Sequence, residues 1–311
     1  MNKKFKKIIR YLSITLLLTI VVQILLGAWV RLTGSGMSCP DWPLCYGLFF
    51  PTYSKINDLG ITEYSYFQIF LEWIHRANAA FLIGPLTVIL FLFIFYNTKN
   101  SDKMRKFSYY LIVLLSIQGL LGGLTVFKSN IPWSVAIHLA SAFLLLYLVL
   151  NILLLTLKNV DKIVLVDKTL QRLIYISFFL SLITACAGAF TSKYGASLSC
   201  SRWPLCNEAL LPNFNDQFEI IHFLHRLLAI SLVSFLFFSL YRLRTYYKDL
   251  SLSAKTVSFF IPLIIFIQIL IGAFLIVFEV PTWMGIFHQF MGLLLFASIS
   301  VLIFNIKSKN I

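Results

Sequence analysis

The sequence contains an internal repeat in which nearly the same motif occurs twice. Residues 27–45 read GAWVRLTGSGMSCPDWPLC, and they align without a gap with residues 188–206, which read GAFTSKYGASLSCSRWPLC. A duplication of this kind predicts two equivalent half-structures. We therefore divide the chain into a first half, residues 1–157, and a second half, residues 158–311.

The repeat also relates the histidines of the two halves. Four of the five histidines form matched positions, His75 with His225 and His138 with His288. Each half thus presents two imidazoles in the same places. Whatever these side chains bind should occur in two related sites.

The composition places the chain in a membrane. Hydrophobic residues make up 59% of the sequence and charged residues 12%, and the mean hydropathy is +0.86. Such a chain cannot cover its surface with polar groups in water. Because a span in lipid must satisfy its own backbone hydrogen bonds, each apolar stretch of roughly 20 residues predicts a helix. Eight stretches qualify, at about 11–30, 70–96, 107–127, 134–157, 172–191, 220–241, 256–278 and 284–306.

These eight spans predict an all-α integral membrane protein with four helices in each half. An even number of spans per repeat gives both halves the same orientation, so the expected architecture is two tandem four-helix bundles. Most basic residues lie at the two termini and in the loops 97–106, 158–172 and 242–255. By the positive-inside rule, both termini are expected in the cytoplasm.

The net charge of +14 reflects this bias, together with attraction to anionic membrane lipid, and it gives no reason to expect a nucleic-acid partner. The first span has the basic start of a secretory signal. It lacks a small-x-small cleavage site, however, and it is the repeat partner of the span at 172–191. We therefore expect it to be retained as a membrane helix.

Four cysteines form two pairs on the outer side of this topology. Cys39 with Cys45, and Cys200 with Cys206, each enclose the tripeptide Trp-Pro-Leu. Two local disulfides are favoured, because disulfides persist in the outer compartment. A zinc site is the alternative, but the short cysteine-x2-cysteine spacing is missing. The sequence leaves open whether the disulfides are structural or redox-active.

The four paired histidines lie at one depth, near the outer ends of their helices. A single histidine there is usually an interfacial residue, but ionisable side chains within spans tend to face the interior of a bundle. Facing histidines on the second and fourth helices of each half suit a haem iron held from both faces in an apolar slot. Zinc or copper needs three or four close ligands, and each half offers too few.

Two arginines, Arg76 and Arg226, directly follow a histidine of these pairs. Their guanidinium groups could pair with the propionates of a haem. The alternative is that they extend to the outer membrane interface. The sequence leaves both interpretations open.

The repeat is broken at one position, where Glu72 precedes His75 by three residues and His222 takes the matching place before His225. That spacing puts Glu72 and His75 on one helix face. A carboxylate within a span costs free energy, so we interpret Glu72 as an acid–base or water-orienting group, the alternative being that it merely reaches the outer water. This interpretation predicts chemistry in the first half and electron transfer in the second.

In combination, these motifs resemble the bacterial haem A synthase family over essentially the whole chain. The similar features are eight helices in two repeats, the paired-cysteine loop with Trp-Pro-Leu-Cys, Glu-x-x-His-Arg in the first half and His-Arg in the second. The cysteine pairs occur in only part of that family. The resemblance implies a resident haem b bound by His225 and His288, and a substrate haem O between His75 and His138. It implies a catalytic role for Glu72. It carries over no role to His222, for which we expect a hydrogen bond near the haem b site.

The reaction that the resemblance implies is oxidation of the C8 methyl of haem O to a formyl group through a hydroxymethyl intermediate, giving haem A for terminal oxidases. The implied location is the bacterial cell (inner) membrane. Haem O synthase, the upstream enzyme, is an expected partner from the order of the pathway. The sequence does not identify the electron acceptor, and it is compatible with a homo-oligomer.

Two other functions are compatible with four histidines at one depth. A non-catalytic dihaem b-type membrane cytochrome would relay electrons, but it leaves Glu72 without a role. A haem-binding or haem-transport protein would release its haem chemically unchanged. Only a synthase changes the mass of its haem, so analysis of extracted haem separates the three functions.

Overall fold

The computed structural model describes residues 3–99, 102–157 and 163–308. Within these residues it contains eight helices that are long and apolar enough to cross a membrane. The prediction of an all-α, multi-span membrane protein is therefore confirmed. The spans are Lys3–Leu32, Tyr66–Asn97, Lys103–Phe127, Pro132–Leu155, Lys168–Tyr194, Gln217–Asp249, Leu252–Val277 and Thr282–Asn305.

The described residues form ten α-helices, nine of which build the spans, with short additional elements. In chain order these are α1 (Lys3–Leu32), a 3-10 turn (Ser35–Met37), α2 (Tyr53–Asp58), α3 (Tyr66–Asn78), a π-helical turn (Ala79–Ile83), α4 (Gly84–Asn97), α5 (Lys103–Phe127), α6 (Pro132–Leu155), β1 (Val164–Val166), α7 (Lys168–Tyr194), α8 (Gln217–Leu243), a 3-10 turn (Arg244–Asp249), α9 (Leu252–Val277), α10 (Thr282–Asn305) and β2 (Ile306–Ser308). The second span consists of α3, the π-helical turn and α4.

Most spans begin a few residues before the predicted apolar stretch, because polar side chains cap the helix starts. A side-chain oxygen before the first helical residue accepts a hydrogen bond from a backbone N–H of the first turn, which satisfies a donor that the helix itself cannot pair. This capping occurs at Ser65, Asp102, Asp167, Asp216 and Ser251.

The two halves meet along α1, α6, α7 and α10, while the remaining spans pack on the outside of these four. Aromatic rings fill the centre of the contact. The ring of Phe296 lies 5.0 Å from that of Phe143 and 4.9 Å from that of Phe178, measured between centroids. The description as two tandem bundles stays a prediction, as does the boundary after residue 157, and residues 158–162 lie outside the described residues.

A short parallel β-pair is a feature that the sequence did not predict. Strand β1 lies in the loop between the halves, and β2 directly follows α10, with Val164 opposite Ile306. Both of these side chains are buried. The pair therefore ties the connection between the halves to the C-terminal end of the last helix, where the prediction had only loop and tail.

The functional residues lie on one side of the membrane helices, which we call the disulfide side. Helices α1, α5, α7 and α9 end there, and α3, α6, α8 and α10 begin there. The four paired histidines lie within the first three turns of the helices that begin on this side, as a common depth requires.

Candidate functional site

In the first half, each paired histidine packs against a glycine of a neighbouring helix. A Cβ atom added to Gly27 of α1 would lie 3.1 Å from Cε1 of His75, and one added to Gly122 of α5 would lie 3.4 Å from Cε1 of His138. Distances of this size are at or below ordinary van der Waals contact. Glycine thus allows the imidazole to approach the backbone of the next helix.

The second half repeats this packing. A Cβ atom at Gly188 of α7 would lie 2.9 Å from Cε1 of His225, and one at Gly272 of α9 would lie 3.3 Å from Cε1 of His288. The sequence alignment contains all four glycines, but their role becomes visible only in the packing of the helices. They are residues of the candidate site that the sequence prediction missed.

The predicted histidine pairs are brought together. His75 and His138 lie within electrostatic reach of each other, and so do His225 and His288. All four rings are half-buried, and in each of them Nδ1 is buried without a hydrogen-bond partner. Because buried polar atoms are normally paired, four equivalent exceptions make these rings candidates for ligand binding.

The first half surrounds its histidines with hydrogen-bonding side chains. Gln23 Nε2 lies 3.3 Å from Nε2 of His75, and its Oε1 accepts a hydrogen bond of 2.7 Å from Asn78. Gln118 Nε2 lies 3.5 Å from Nε2 of His138, and its Oε1 accepts a hydrogen bond from the hydroxyl of Ser141. Each ring is therefore next to an amide that is itself fixed.

The second half lacks most of this support. Gln268 Nε2 lies 3.2 Å from Nε2 of His288, but Oε1 of Gln268 is buried without a partner. No side-chain amide contacts His225 within the described residues. The residues that match Gln23, Asn78 and Ser141 in the repeat are the less polar or apolar Thr184, Leu228 and Met291.

Glu72 is buried, with 4% of its surface exposed, and both of its carboxylate oxygens accept hydrogen bonds. Its Oε1 accepts a hydrogen bond of 2.5 Å from Nη2 of Arg76, one turn further along α3. Its Oε2 accepts hydrogen bonds from the backbone N–H of Cys39 at 2.8 Å and from the hydroxyl of Ser38 at 3.0 Å. The carboxylate therefore points into the protein, towards the cysteine loop.

Arg76 holds that loop in place. Nη1 donates to the carbonyl oxygens of Asp41 and Leu44, the latter at 2.7 Å, and Nη2 donates to the carbonyl oxygen of Cys39 at 2.8 Å. The guanidinium group thus joins the histidine-bearing helix α3 to three backbone positions of one short loop.

Arg226 makes the equivalent contacts in the second half. Nη1 donates to the carbonyl oxygens of Arg202 and Leu205 at 2.9 and 2.7 Å, and Nη2 donates to that of Cys200 at 2.8 Å. Each partner is the repeat counterpart of a partner of Arg76. The pairing of either arginine with a propionate stays a prediction, and such a pairing would compete with these loop contacts.

His222 takes over one task of Glu72. The backbone N–H of Cys200 donates to Nδ1 of His222 at 3.3 Å, just as the backbone N–H of Cys39 donates to Glu72. His222 is buried, with 5% of its surface exposed. His222, to which the resemblance carried over no role, is therefore an anchor for the second cysteine loop.

Both cysteine pairs form disulfides, so the alternative of a zinc site is wrong for these residues. The Cα atoms are 4.6 Å apart in Cys39–Cys45 and 4.3 Å apart in Cys200–Cys206. Within the part of the chain that the structure describes, no three His, Cys, Asp or Glu side chains converge on a possible metal-ion site.

The cysteine loop of the first half has a small core of its own and reaches the histidine site. Cys39 and Cys45 pack with Ile56 of α2, and Tyr46 lies against this cluster. Burial, followed by the negative charge of Glu63, raises the pKa of Tyr46, so its phenol stays neutral near pH 7.

The ring of Trp42 extends from this loop to α5, where a Cβ atom on Gly123 would lie 3.5 Å from it. The next residue towards the start of that helix is Gly122, which packs on His138. Trp42 is thus a further site residue that the sequence prediction missed, although the matching Trp-Pro-Leu segments of the two halves are visible in the alignment.

Comparisons with known proteins all point to one family. A model of the family described as "Cytochrome oxidase assembly protein" matches residues 10–300. A protein of Shewanella oneidensis named "Heme A synthase" is 29% identical, over 89% of this chain and 90% of its own. Proteins of the same name from Flavobacterium psychrophilum and Exiguobacterium sibiricum are each 26% identical; they cover 90% and 98% of this chain, and 92% and 96% of their own.

Proposed function

This chain belongs to the cytochrome oxidase assembly protein family, and from that membership we propose that it is a haem A synthase, an oxidoreductase that acts on haem O. The observation that carries the proposal is the asymmetry of two otherwise matching histidine sites. Only the first site has a buried carboxylate, Glu72, one helical turn from a paired histidine. The relatives of this chain that are named "Heme A synthase" match it along most of its length.

The residues of both sites fit a haem. A planar macrocycle ligated on both faces needs two facing imidazoles, apolar walls and little bulk around the ligands. The four Nδ1 atoms without partners and the four glycines against which the rings pack support this fit. We assign haem b to His225 and His288, and haem O to His75 and His138. Haem b held by His225 and His288 would supply a one-electron acceptor.

The overall reaction adds one water to the substrate and removes four electrons and four protons, as a methyl group becomes a formyl group. A hydroxymethyl group is the half-way product. The protein does not supply the oxidant, so electrons pass to an external acceptor, and the protein mainly orients the substrate. The glutamines next to His75 and His138 would fix the rings while the substrate is exchanged.

Glu72 would act on the water. An ionised carboxylate offers about four acceptor positions, and three are taken by Arg76, Ser38 and Cys39. One position is then left for a water molecule, which the carboxylate can orient towards the substrate methyl. The contacts favour orientation of the water as the main role, with proton removal as a second role.

We propose that the protein lies in the bacterial cell membrane with both termini in the cytoplasm, because the basic residues concentrate on that side. The disulfide side would then face outward, where disulfides persist. Haem O synthase is the proposed donor of the substrate.

The test is chromatography with mass analysis of haem extracted from cells that make haem O, with and without this chain. We expect a new haem that has one more oxygen and two fewer hydrogens than haem O. His75→Ala and His138→Ala should abolish it and retain the spectrum of bound haem b, whereas His225→Ala and His288→Ala should lose that spectrum. Unchanged haem O beside well-expressed, haem-loaded protein would contradict the proposal and favour a dihaem cytochrome.

A further inference from the structure

Arg31 of the first half reaches into the second half. It lies in the last turn of α1, and its Nη2 is 3.4 Å from Oε1 of Gln289 on α10. The neighbouring Leu32 packs so closely on α10 that a Cβ atom on Gly285 would lie 2.7 Å from its Cδ1. The end of α1 is therefore fixed against the start of α10, and the position of Arg31 follows from this packing.

The guanidinium group of Arg31 has no anionic partner among the described residues. The ion pairs there involve Arg76, Arg202 and Arg242. Nε of Arg31 is buried without a hydrogen-bond partner, and the one hydrogen bond of the side chain is a long one to a neutral amide. Withdrawing a cation from water without a compensating anion is unfavourable, so the site calls for a negatively charged group.

The surroundings indicate which anion this is. Arg31 lies within electrostatic reach of His288, and its partner Gln289 is the next residue after that histidine. Arg226, the arginine that the sequence suggested for this task, already donates to three carbonyl oxygens of the second cysteine loop. The unpartnered Nε of Arg31 is thus available to a ligand of the second histidine site.

The first half has no equivalent of this arginine–glutamine contact. In the repeat, Ser192 takes the place of Arg31, and Leu139 takes the place of Gln289. A cation therefore crosses from the first half to the second, and none crosses in return at this position. The second site is complete only when both halves are present.

The geometry points to Arg31 as the residue that binds a propionate carboxylate of the haem held between His225 and His288. This inference rests on the proposed function, because it takes haem b as the ligand of the second site. A guanidinium group suits a carboxylate, since it can donate two parallel hydrogen bonds. One half would thereby contribute to the cofactor site of the other.

The experiment compares haem b with its dimethyl ester, in which the propionates can no longer ionise. The full-length protein is purified in detergent, freed of haem and titrated with each compound, with the absorbance of the bis-histidine complex as readout. We expect the wild-type protein to bind haem b about tenfold more tightly than the ester, the size of one charge-assisted contact. Arg31→Met should lose this preference, and Arg31→Lys should retain part of it.

The matched control is Lys193→Met, which removes another cation in the last turn of a helix that ends on the disulfide side. This variant should still bind haem b more tightly than the ester. Loss of a cation beside the haem disfavours the reduced, more negative state. The reduction potential of the bound haem should therefore fall less in Lys193→Met than in Arg31→Met. An equal preference in the wild-type protein and Arg31→Met would overturn the inference, as would loss of preference in Arg226→Lys alone. Failure of the wild-type protein to bind any haem b would instead contradict the proposed cofactor.

Discussion

The two halves hold their histidines in the same way but support them differently. In both halves each imidazole packs on a glycine. In the first half, both rings also lie next to a glutamine, and the side-chain oxygen of each glutamine accepts a hydrogen bond from Asn78 or Ser141. In the second half one ring lies next to a glutamine, Gln268, and the side-chain oxygen of Gln268 has no hydrogen-bond partner. Both sites share a closely packed imidazole, and we expect the additional hydrogen bonds of the first site at a site that exchanges its ligand.

The backbone differs at the same place. The second span of the first half contains the π-helical turn Ala79–Ile83, whereas the matching helix α8 is regular from Gln217 to Leu243. Asn78, which supports Gln23, directly precedes this turn. Because π-helical turns are frequent at functional sites, the first site is the one expected to perform chemistry.

Exchanging Glu72 and His222 between the two halves is expected to have the largest effect on haem A output. In Glu72→His, an imidazole nitrogen could still accept the hydrogen bond of the Cys39 amide, as His222 does for Cys200, but the carboxylate would be lost. We expect haem A output to fall by at least about 100-fold, the scale of a lost acid–base or water-orienting group, with the haem b spectrum retained.

The reciprocal variant, His222→Glu, serves as the control and should change haem A output little. Output is measured by chromatography of extracted haem. Normal output from Glu72→His, together with a loss in Glu72→Ala, would reduce the role of Glu72 to holding the cysteine loop.

Replacing the two loop-binding arginines tests the comparison of the two halves through the free energy of unfolding. Arg76→Met and Arg226→Met each leave three carbonyl oxygens without their donor, and a buried unpaired group costs about 1–3 kcal/mol. Arg76→Met should lower the free energy of unfolding further, because it also leaves Glu72 without its cation.

Denaturant titration of the detergent-solubilised protein measures both losses. Alkylation of the loop cysteines after mild reduction gives a local readout, and it should be faster in each variant than in the wild-type protein. Equal losses of stability in the two variants would mean that the Glu72–Arg76 ion pair contributes little.

The smallest effect is expected from replacing Gln23, the side-chain amide that the first half has and the second half lacks at the matching position. Gln23→Thr gives the first half the residue of the second, and it should slow haem A formation by about tenfold, as for other groups that orient a metal-binding histidine. Thr184→Gln makes the opposite change and should leave both output and the haem b spectrum as they are. A rate defect in Thr184→Gln as large as that in Gln23→Thr would argue against different needs of the two sites.

The sequence predicted the eight spans and the cysteine pairing well, because each depends on a local property. A membrane requires a continuous apolar stretch, which is visible in one dimension. The disulfides need only six residues of separation and a suitable compartment. The repeat supplied the pairs of histidines, since it relates positions that share an environment.

What the sequence did not predict depends on contacts between distant segments. Arg76 and Arg226 could be placed at a helix end, but nothing in the spacing shows that their donors meet the carbonyl oxygens of a loop more than twenty residues earlier. The contact of Arg31 with Gln289 joins opposite ends of the chain. The strand β1 has only three residues, too few for a recognisable alternation of polar and apolar side chains.

The small β-pair bears on the order of events during synthesis. Strand β1 emerges from the ribosome about half-way through translation, but its partner β2 follows the last membrane helix. The connection between the halves therefore cannot be tied until β2 has been synthesised, after all eight spans that the structure describes. A nascent chain stalled before Ile306 would contain both histidine pairs but not this tie, so we expect the pairing of β1 with β2 to form after the spans.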